Sequence, residues 1–196
     1  MLGMNTMKQL LKALAKILLG EYALYYIYTR SAKDSPLAPA KVPHAFTVQT
    51  VDAAMILKSE DPLILQQAGY LGSGTFAYAC LEGPRIVGLC FYWFGERYRE
   101  RNFWPLLERE AKLVQIISLA EMRGRGIASR LIEISCQDLL AQKFERIYAR
   151  IWHSNLPSIK AFERAGWKRI ALVIEINPLR RAESFKIRIN SKLLIR

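Results

Sequence analysis

R-G-R-G-I-A, residues Arg123 to Ala128, decides the fold of this chain. It lies between an apolar run that reads as a strand, Leu113 to Leu119, and a helix-patterned run, Ala128 to Phe144. A glycine-rich turn from strand to helix exposes consecutive backbone N–H groups at a helix N-terminus, where the dipole favours negative charge. Gly124 and Gly126 let the backbone approach a ligand that a Cβ would hold off. The arginines of the loop, Arg123 and Arg125, make a diphosphate the natural guest. A glycine pair also serves tight turns for steric reasons alone, so the surrounding pattern gives this one its weight.

Downstream, Arg146 to Trp152 reads as a strand and Pro157 to Ala165 as a helix, with Pro157 near its first turn and Gly166 ending it. Trp167 to Ile176 and Ser184 to Ile189 follow as strands. Upstream, Thr75 to Leu81 and Arg85 to Phe94 are β-rich runs joined by Glu82-Gly83-Pro84, a hairpin signal. Phe46 to Val51 is a strand, Asp52 can cap the helical run after it, and a short helical or irregular stretch occupies Pro62 to Ala68. Gly95 to Arg109 is a polar and aromatic loop. The alternation predicts an α/β (α+β) domain.

This order of elements, with R-G-R-G-I-A after the fourth strand, resembles the GNAT superfamily of acyl-CoA-dependent N-acetyltransferases. The family's phosphate loop, Q/R-x-x-G-x-G/A, is matched by Arg123, Gly126 and Ala128. N-L-P-S-I-K-A-F-E-R-A-G-W, Asn155 to Trp167, is similar to the family's N-x-x-A/S-x-x-x-Y-x-x-x-G-F element. The two motifs together are far more specific than either alone. The resemblance covers roughly residues 44 to 190 and implies a central mixed, mostly antiparallel sheet flanked by helices, with a splay between strands 4 and 5.

It also implies roles. Backbone groups of Ile116, Ile117 and Ser118 would pair with the pantetheine arm of acetyl-CoA. The amides of Gly124, Arg125, Gly126, Ile127 and Ala128, extending into Ser129 and Arg130, would hold its pyrophosphate. Asn155, Ser158 and Phe162 would line the pantetheine and thiol end. Read from the residues alone, Asn155 is a turn residue and Phe162 a core aromatic. The chemistry needs a neutral amine, a base and N–H donors for the oxyanion. Many members use a tyrosine to protonate the leaving thiolate, where this chain has Phe162, and some carry a strand-5 glutamate, where it has Arg150. Glu110, on the same alternation parity as Ser118, and His153, beside Asn155, are the remaining base candidates; as ordinary residues they are a solvated charge and a loop hydrogen-bonder.

Acetyl-CoA is thus the expected co-substrate, without metal. The three cysteines, Cys80, Cys90 and Cys136, have no ligand-like spacing and read as buried reduced thiols of a cytoplasmic protein. Phe91 to Trp104, F-Y-W-F-G-E-R-Y-R-E-R-N-F-W, borders the acceptor cleft in this fold, and rings with arginines suit a sugar, nucleotide or phosphate-bearing amine. Alternation would send half of those rings into the core. The expected acceptor is the primary amine of a small molecule, such as an amino sugar or surface-glycan precursor. The rivals are a protein or peptide acceptor, or a non-catalytic CoA-binding regulatory module.

A formal charge of +12, from 29 Lys and Arg against 17 Asp and Glu, predicts attraction to anions. No recognisable nucleic-acid motif accompanies it, and no nucleic-acid partner is expected. Residues 1–30 place Lys8, Lys12 and Lys16 at i, i+4 spacing beside an apolar face of Leu10, Leu11, Leu14, Ile17 and Leu18, followed by Tyr22, Tyr25, Tyr26 and Tyr28. Glu21 interrupts any membrane span. An amphipathic helix fits, lying on the anionic inner face of a membrane or packing on its own domain or on a second copy in a homodimer. Residues 31–43, rich in Pro, Ala and Ser, read as a linker, leaving 44–196 as the acetyltransferase-like domain.

Overall fold

The computed structural model describes residues 21–34, 46–178 and 184–190. Their packing divides into two units. Tyr28–Arg150 and Leu156–Lys168 form the larger; Met1–Ile27, Ile151–Asn155 and Arg169–Arg196 form the smaller.

The larger unit holds the C-terminal part of β1 (Glu21–Ser31), then β2 (Phe46–Thr50), α1 (Ala53–Leu57) and α2 (Pro62–Leu65). β3 (Thr75–Glu82) and β4 (Arg85–Trp93) make the expected hairpin, followed by β5 (Glu110–Ser118), α3 (Ile127–Gln142), most of β6 (Arg146–Trp152) and α4 (Leu156–Arg164). The expected fourth strand is therefore β5. Neighbouring strands run β2-β3-β4-β5-β6, antiparallel except for the parallel pair β5–β6. This is a mixed α+β arrangement with a mostly antiparallel sheet, as expected.

Sequence chemistry explains the elements. Asp52 and Asp61 cap α1 and α2 through carboxylates accepting from the amides of Met55 (2.8 Å) and Leu63 (2.9 Å). β4 is apolar without alternation because it is central: Phe91, Tyr92 and Trp93 are all buried. The expectation that only half of those rings enter the core is thereby corrected. Inside β4, Gly88 admits the first turn of α3; a Cβ there would stand 2.8 Å from Ile127 Cγ2 and 3.0 Å from the Ile117 carbonyl oxygen. Hydroxyls tie α3 down as well, Tyr92 to Ser135 at 2.6 Å and Tyr78 donating to Asp138 at 2.5 Å. Gly166, at φ 68°, ends α4, with its amide bonded to the Glu163 carbonyl and that of Trp167 to Phe162.

In the smaller unit, β7 (Lys168–Asn177) pairs antiparallel with β8 (Phe185–Asn190) over Ala171↔Asn190 to Ile176↔Phe185. Tyr25 is buried there, donating to Glu175 at 3.2 Å and meeting Trp152 edge-on at 5.9 Å.

Two expectations need correction. Glu21–Ser31 is a strand, not the end of a helix; its tyrosines, isoleucine and threonine are β-formers. The larger unit also begins before His44, since Tyr28 to Asp34 belong to it. Thr29 bonds the Ile147 carbonyl at 3.1 Å, and Arg30 donates to the Gly166 carbonyl at 2.9 Å. The lysine-patterned stretch through residue 20, and most of the linker, lie outside the described residues. No helix among the described residues is long and apolar enough to cross a membrane.

Candidate active site

The site is built on β5. Its pairing with β6 runs from Glu110↔Arg146 to Leu113↔Ala149 and ends there, whereas its pairing with β4 continues to Gly88↔Ser118. From Val114 to Ser118, one edge of β5 has no strand partner among the described residues. This is the expected splay, and Ile116, Ile117 and Ser118 sit along the freed edge. The β4–β5 register also slips: Phe91 faces Gln115, and Tyr92 faces Leu113. Val114 is therefore a bulge, and it falls at the fork where β6 departs.

After β5 a short 3-10 turn, Ala120–Met122, leads into the glycine loop. Gly124 and Gly126 both have positive φ, 79° and 82°, which a side chain would strain. Gly126 occupies the N-cap of α3 and no side chain caps that helix; the first helical bond runs from the Arg130 amide to the Gly126 carbonyl at 2.9 Å. The amides ahead of Arg130 thus open onto the loop at a 16-residue helix, where the dipole and the unmet donors favour an anion. Ile127 offers only its backbone, for its side chain is buried; Ala128 and Ser129 are half-buried and Arg123 is exposed.

Arg125 departs from expectation. Its guanidinium turns away to Glu82 (3.3 Å), Met122 Sδ (3.2 Å) and the Phe46 ring (5.2 Å), which secures the loop against β2 and β3. The residue itself stays exposed on the loop.

Ser158 and Phe162 lie on α4 in the same unit, whereas Asn155 and His153 belong to the smaller one. Phe162 is buried, edge-on to Trp167 at 5.0 Å and 6.3 Å from the Tyr28 ring. Its reading as a core aromatic holds. The Asn155 amide bonds the Trp152 carbonyl at 2.9 Å in a turn, as its ordinary reading has it.

Both base candidates are bonded to groups of their own chain. Glu110 is buried at the closed end of β5, accepting from Tyr148 Oη (3.1 Å) and the Leu107 amide (2.9 Å), with Arg146 at 3.8 Å. The parity that linked it to Ser118 fails because the Val114 bulge resets the alternation. His153 is exposed, and its Nδ1 lies 3.1 Å from the Leu24 carbonyl. Nδ1 must donate to that oxygen, so the ring is anchored to β1. Arg150, at the usual glutamate position, has its guanidinium 5.1 Å from the Phe103 ring.

All three cysteines are buried, and burial pushes the Cys80 thiol up to about 11 and the Cys90 thiol up to about 12. No group of three or more metal-ligating side chains occurs among the described residues.

Sequence reasoning missed three contributors. Gly88 had a signal, a glycine inside an apolar strand. The Val114 bulge had none. Tyr28, packed on Phe162 with its hydroxyl donating to Glu163 at 2.9 Å, was hidden by a helical reading of its segment.

A forked strand leading into an uncapped glycine loop is the arrangement the resemblance implied. A family model described as the acetyltransferase (GNAT) family matches residues 47–167, well over half of the chain. This chain belongs to the GNAT acetyltransferase family. GNAT acetyltransferases use acetyl-CoA. An N-alpha-acetyltransferase from Saccharolobus solfataricus is 33% identical over 70 residues, which span 35% of this chain and 42% of that protein. A GNAT-family acetyltransferase from Colwellia psychrerythraea superposes with a TM-score of 0.56 at 13% identity, over 85% of this chain and 60% of that one. A tandem GNAT protein from the clavulanic acid biosynthesis pathway gives 0.55 at 13% identity, over 86% and 58%. At such identities the likeness is one of fold. This GNAT chain spans less than two thirds of each of these three relatives.

Proposed function

We propose that this chain transfers the acetyl group of acetyl-CoA to the primary amine of a small molecule, such as an amino sugar or a surface-glycan precursor. The observation that carries the reading is the uncapped start of α3, following directly on the freed edge of β5. Gly124 to Ser129 would receive the diphosphate on their amides, and Ile116 to Ser118 would bond the pantetheine arm along the strand. Backbone N–H groups at the Val114 bulge would stabilise charge on the reacting carbonyl. With Phe162 at the usual tyrosine position and Glu110 buried, proton transfer falls to water or to the substrate's own groups; a thiolate leaving group tolerates this.

What favours a small acceptor is the wall over β5. Gln115 donates to Gln67 at 3.1 Å, Trp93 Nε1 to the Tyr70 carbonyl at 2.9 Å, and Arg101 to Tyr70 Oη at 2.8 Å. These bonds tie the 3-10 turn Gln66–Tyr70 to β4, β5 and the loop after β4, which would narrow the approach to the strand. The Saccharolobus relative favours a second reading, acetylation of a peptide N-terminus.

The test is release of free CoA thiol from acetyl-CoA with a panel of amino sugars, amino acids and peptides. Turnover confined to small amines supports the first reading, and turnover confined to peptides the second. CoA binding without turnover across the panel would convert the chain to a binding module. For residues 1–20 we retain the proposal of contact with an anionic inner membrane face in a cytoplasmic protein. Co-sedimentation with anionic vesicles, full chain against a chain beginning at Glu21, decides it: equal sedimentation overturns it.

A further inference from the structure

Arginines in the larger unit differ in how they are neutralised. Arg85, Arg99, Arg109, Arg125 and Arg146 each have a carboxylate within ion-pair distance. Arg97 and Arg101, on the loop between β4 and β5, have none among the described residues. Glu96 is held by Arg99 at 2.8 Å, and Glu100 pairs with neither. Both guanidiniums lie instead on rings. Arg97 is 4.6 Å from the Trp93 centroid, and Arg101 is 4.9 Å from Tyr70 and 5.6 Å from Trp93.

The shelf under them is rigid. Trp93 is buried and bonded to the Tyr70 carbonyl, and Tyr70 packs on Phe91 at 5.3 Å and on Trp93 at 5.8 Å. Arg97 donates to the Gly69 carbonyl at 3.1 Å, and its Nε is buried without a hydrogen-bond partner. Arg101 donates to Tyr70 Oη at 2.8 Å and reaches the Val114 carbonyl at 3.4 Å, yet the residue remains exposed. Val114 is the bulge at the fork. A guanidinium carries five N–H donors, so both arginines retain donors beyond these bonds. Two like charges that share the Trp93 ring without a counter-ion, one of them bonded to the carbonyl of the bulge at the proposed reacting centre, suit an anion.

We propose that Arg97 and Arg101 form a subsite for an acid group, carboxylate or phosphate, carried by the acceptor amine. The inference rests on the acetyl-transfer reading of the fork and narrows its substrate to acidic amines. The planar guanidiniums suit two-point contact with either oxyanion.

The experiment compares matched acceptors: glucosamine 6-phosphate against glucosamine, and 4-aminobutyrate against its amide. Wild type, Arg97→Met, Arg101→Met and the double variant are assayed for kcat and KM. The expected result is an acid preference of at least about tenfold in kcat/KM in one pair, which also identifies the acid. In the double variant it falls to about twofold, through KM for the acceptor and not through KM for acetyl-CoA. Arg101→Lys should restore only part of it, since an ammonium lacks the fork. Absence of preference in both pairs, or its survival in the double variant, overturns the proposal. Calorimetry of the four compounds with the protein, with and without CoA, reads the subsite independently of turnover. Acid binding lost in the variants supports it, and no acid-selective binding by wild type overturns it. Failure of CoA itself to bind would overturn the reading of the fork.

Discussion

α1 and α3 begin in opposite ways. α1 starts at Asp52, whose carboxylate accepts from the Met55 amide at 2.8 Å, and α2 repeats the device with Asp61 and Leu63 at 2.9 Å. α3 starts at Gly126, in a left-handed conformation with no side-chain cap. In the first two the chain supplies its own anion. In the third it leaves the donors open at the longest helix of the described residues, where the field is best developed. Local stability and ligand capacity draw on the same amides, so a helix can spend them on one or the other.

Transplanting the cap should have the largest effect. Gly126→Asp gives α3 the residue type that begins α1, setting a carboxylate where the diphosphate would lie. CoA affinity by calorimetry should fall at least about a hundredfold, with the fold retained. Gly126→Ala separates charge from backbone strain; at φ 82° a Cβ costs about 1–2 kcal/mol, so a loss of at most about thirtyfold is expected. Unchanged affinity in Gly126→Asp would break the contrast outright.

Next comes the seat of α3. Gly88→Ala drives a Cβ against Ile127 and the Ile117 carbonyl, and should cost about 1–3 kcal/mol, or roughly 2–4 °C of melting temperature per kcal/mol. CoA binding should weaken with it, because that turn carries the loop. A melting temperature at the wild-type value would show that the helix start is free to shift.

The reverse experiment is smaller. Asp52→Ala should cost about 1 kcal/mol of stability in denaturant titration and leave CoA affinity untouched. Glu110 extends the contrast to a charge already satisfied by its own chain. Glu110→Gln should leave kcat within about threefold, against the hundredfold or greater loss expected for a general base.

The smallest effect belongs to Asp34. Burial raises its pKa, but the Lys168 hydrogen bond and the Ser31 amide outweigh it and hold the carboxyl below its ordinary value. A lowered folded pKa means its contribution is present above the ordinary carboxylate range and is lost as pH falls through the folded value. Asp34→Asn should remove at most about 1 kcal/mol near neutrality and flatten the acid limb of melting temperature against pH.

Legibility followed locality. The glycine loop, the Asn155 to Trp167 block, the Glu82-Gly83-Pro84 hairpin and the Asp52 cap each carry their signal within a few residues. The strand at Glu21–Ser31 did not, because the lysine spacing upstream carried a helical period across it, although its tyrosines and isoleucine favour a sheet. Nothing near Val114 announces the bulge, which is a property of two strands in register. The hydrogen bonding of Glu110 depends on Tyr148, 38 positions away, and spacing along β5 could not disclose it.

β1 has one more consequence, for how the molecule is made. Its bonds reach forward by 118 positions from Thr29, 135 from Tyr28 and 136 from Arg30. The strand leaves the ribosome well before the segment it bonds, and finds that neighbour only after Ile147 has been added. At about 5–20 residues per second the 118-residue interval lasts roughly 6–24 s. Throughout that time Tyr25, Ile27 and Tyr28, all fully buried in the finished protein, face water unprotected. Late closure by so distant a segment raises contact order and slows folding. The interval is set by translation speed, and it is the period in which the apolar face of the strand is open to other chains.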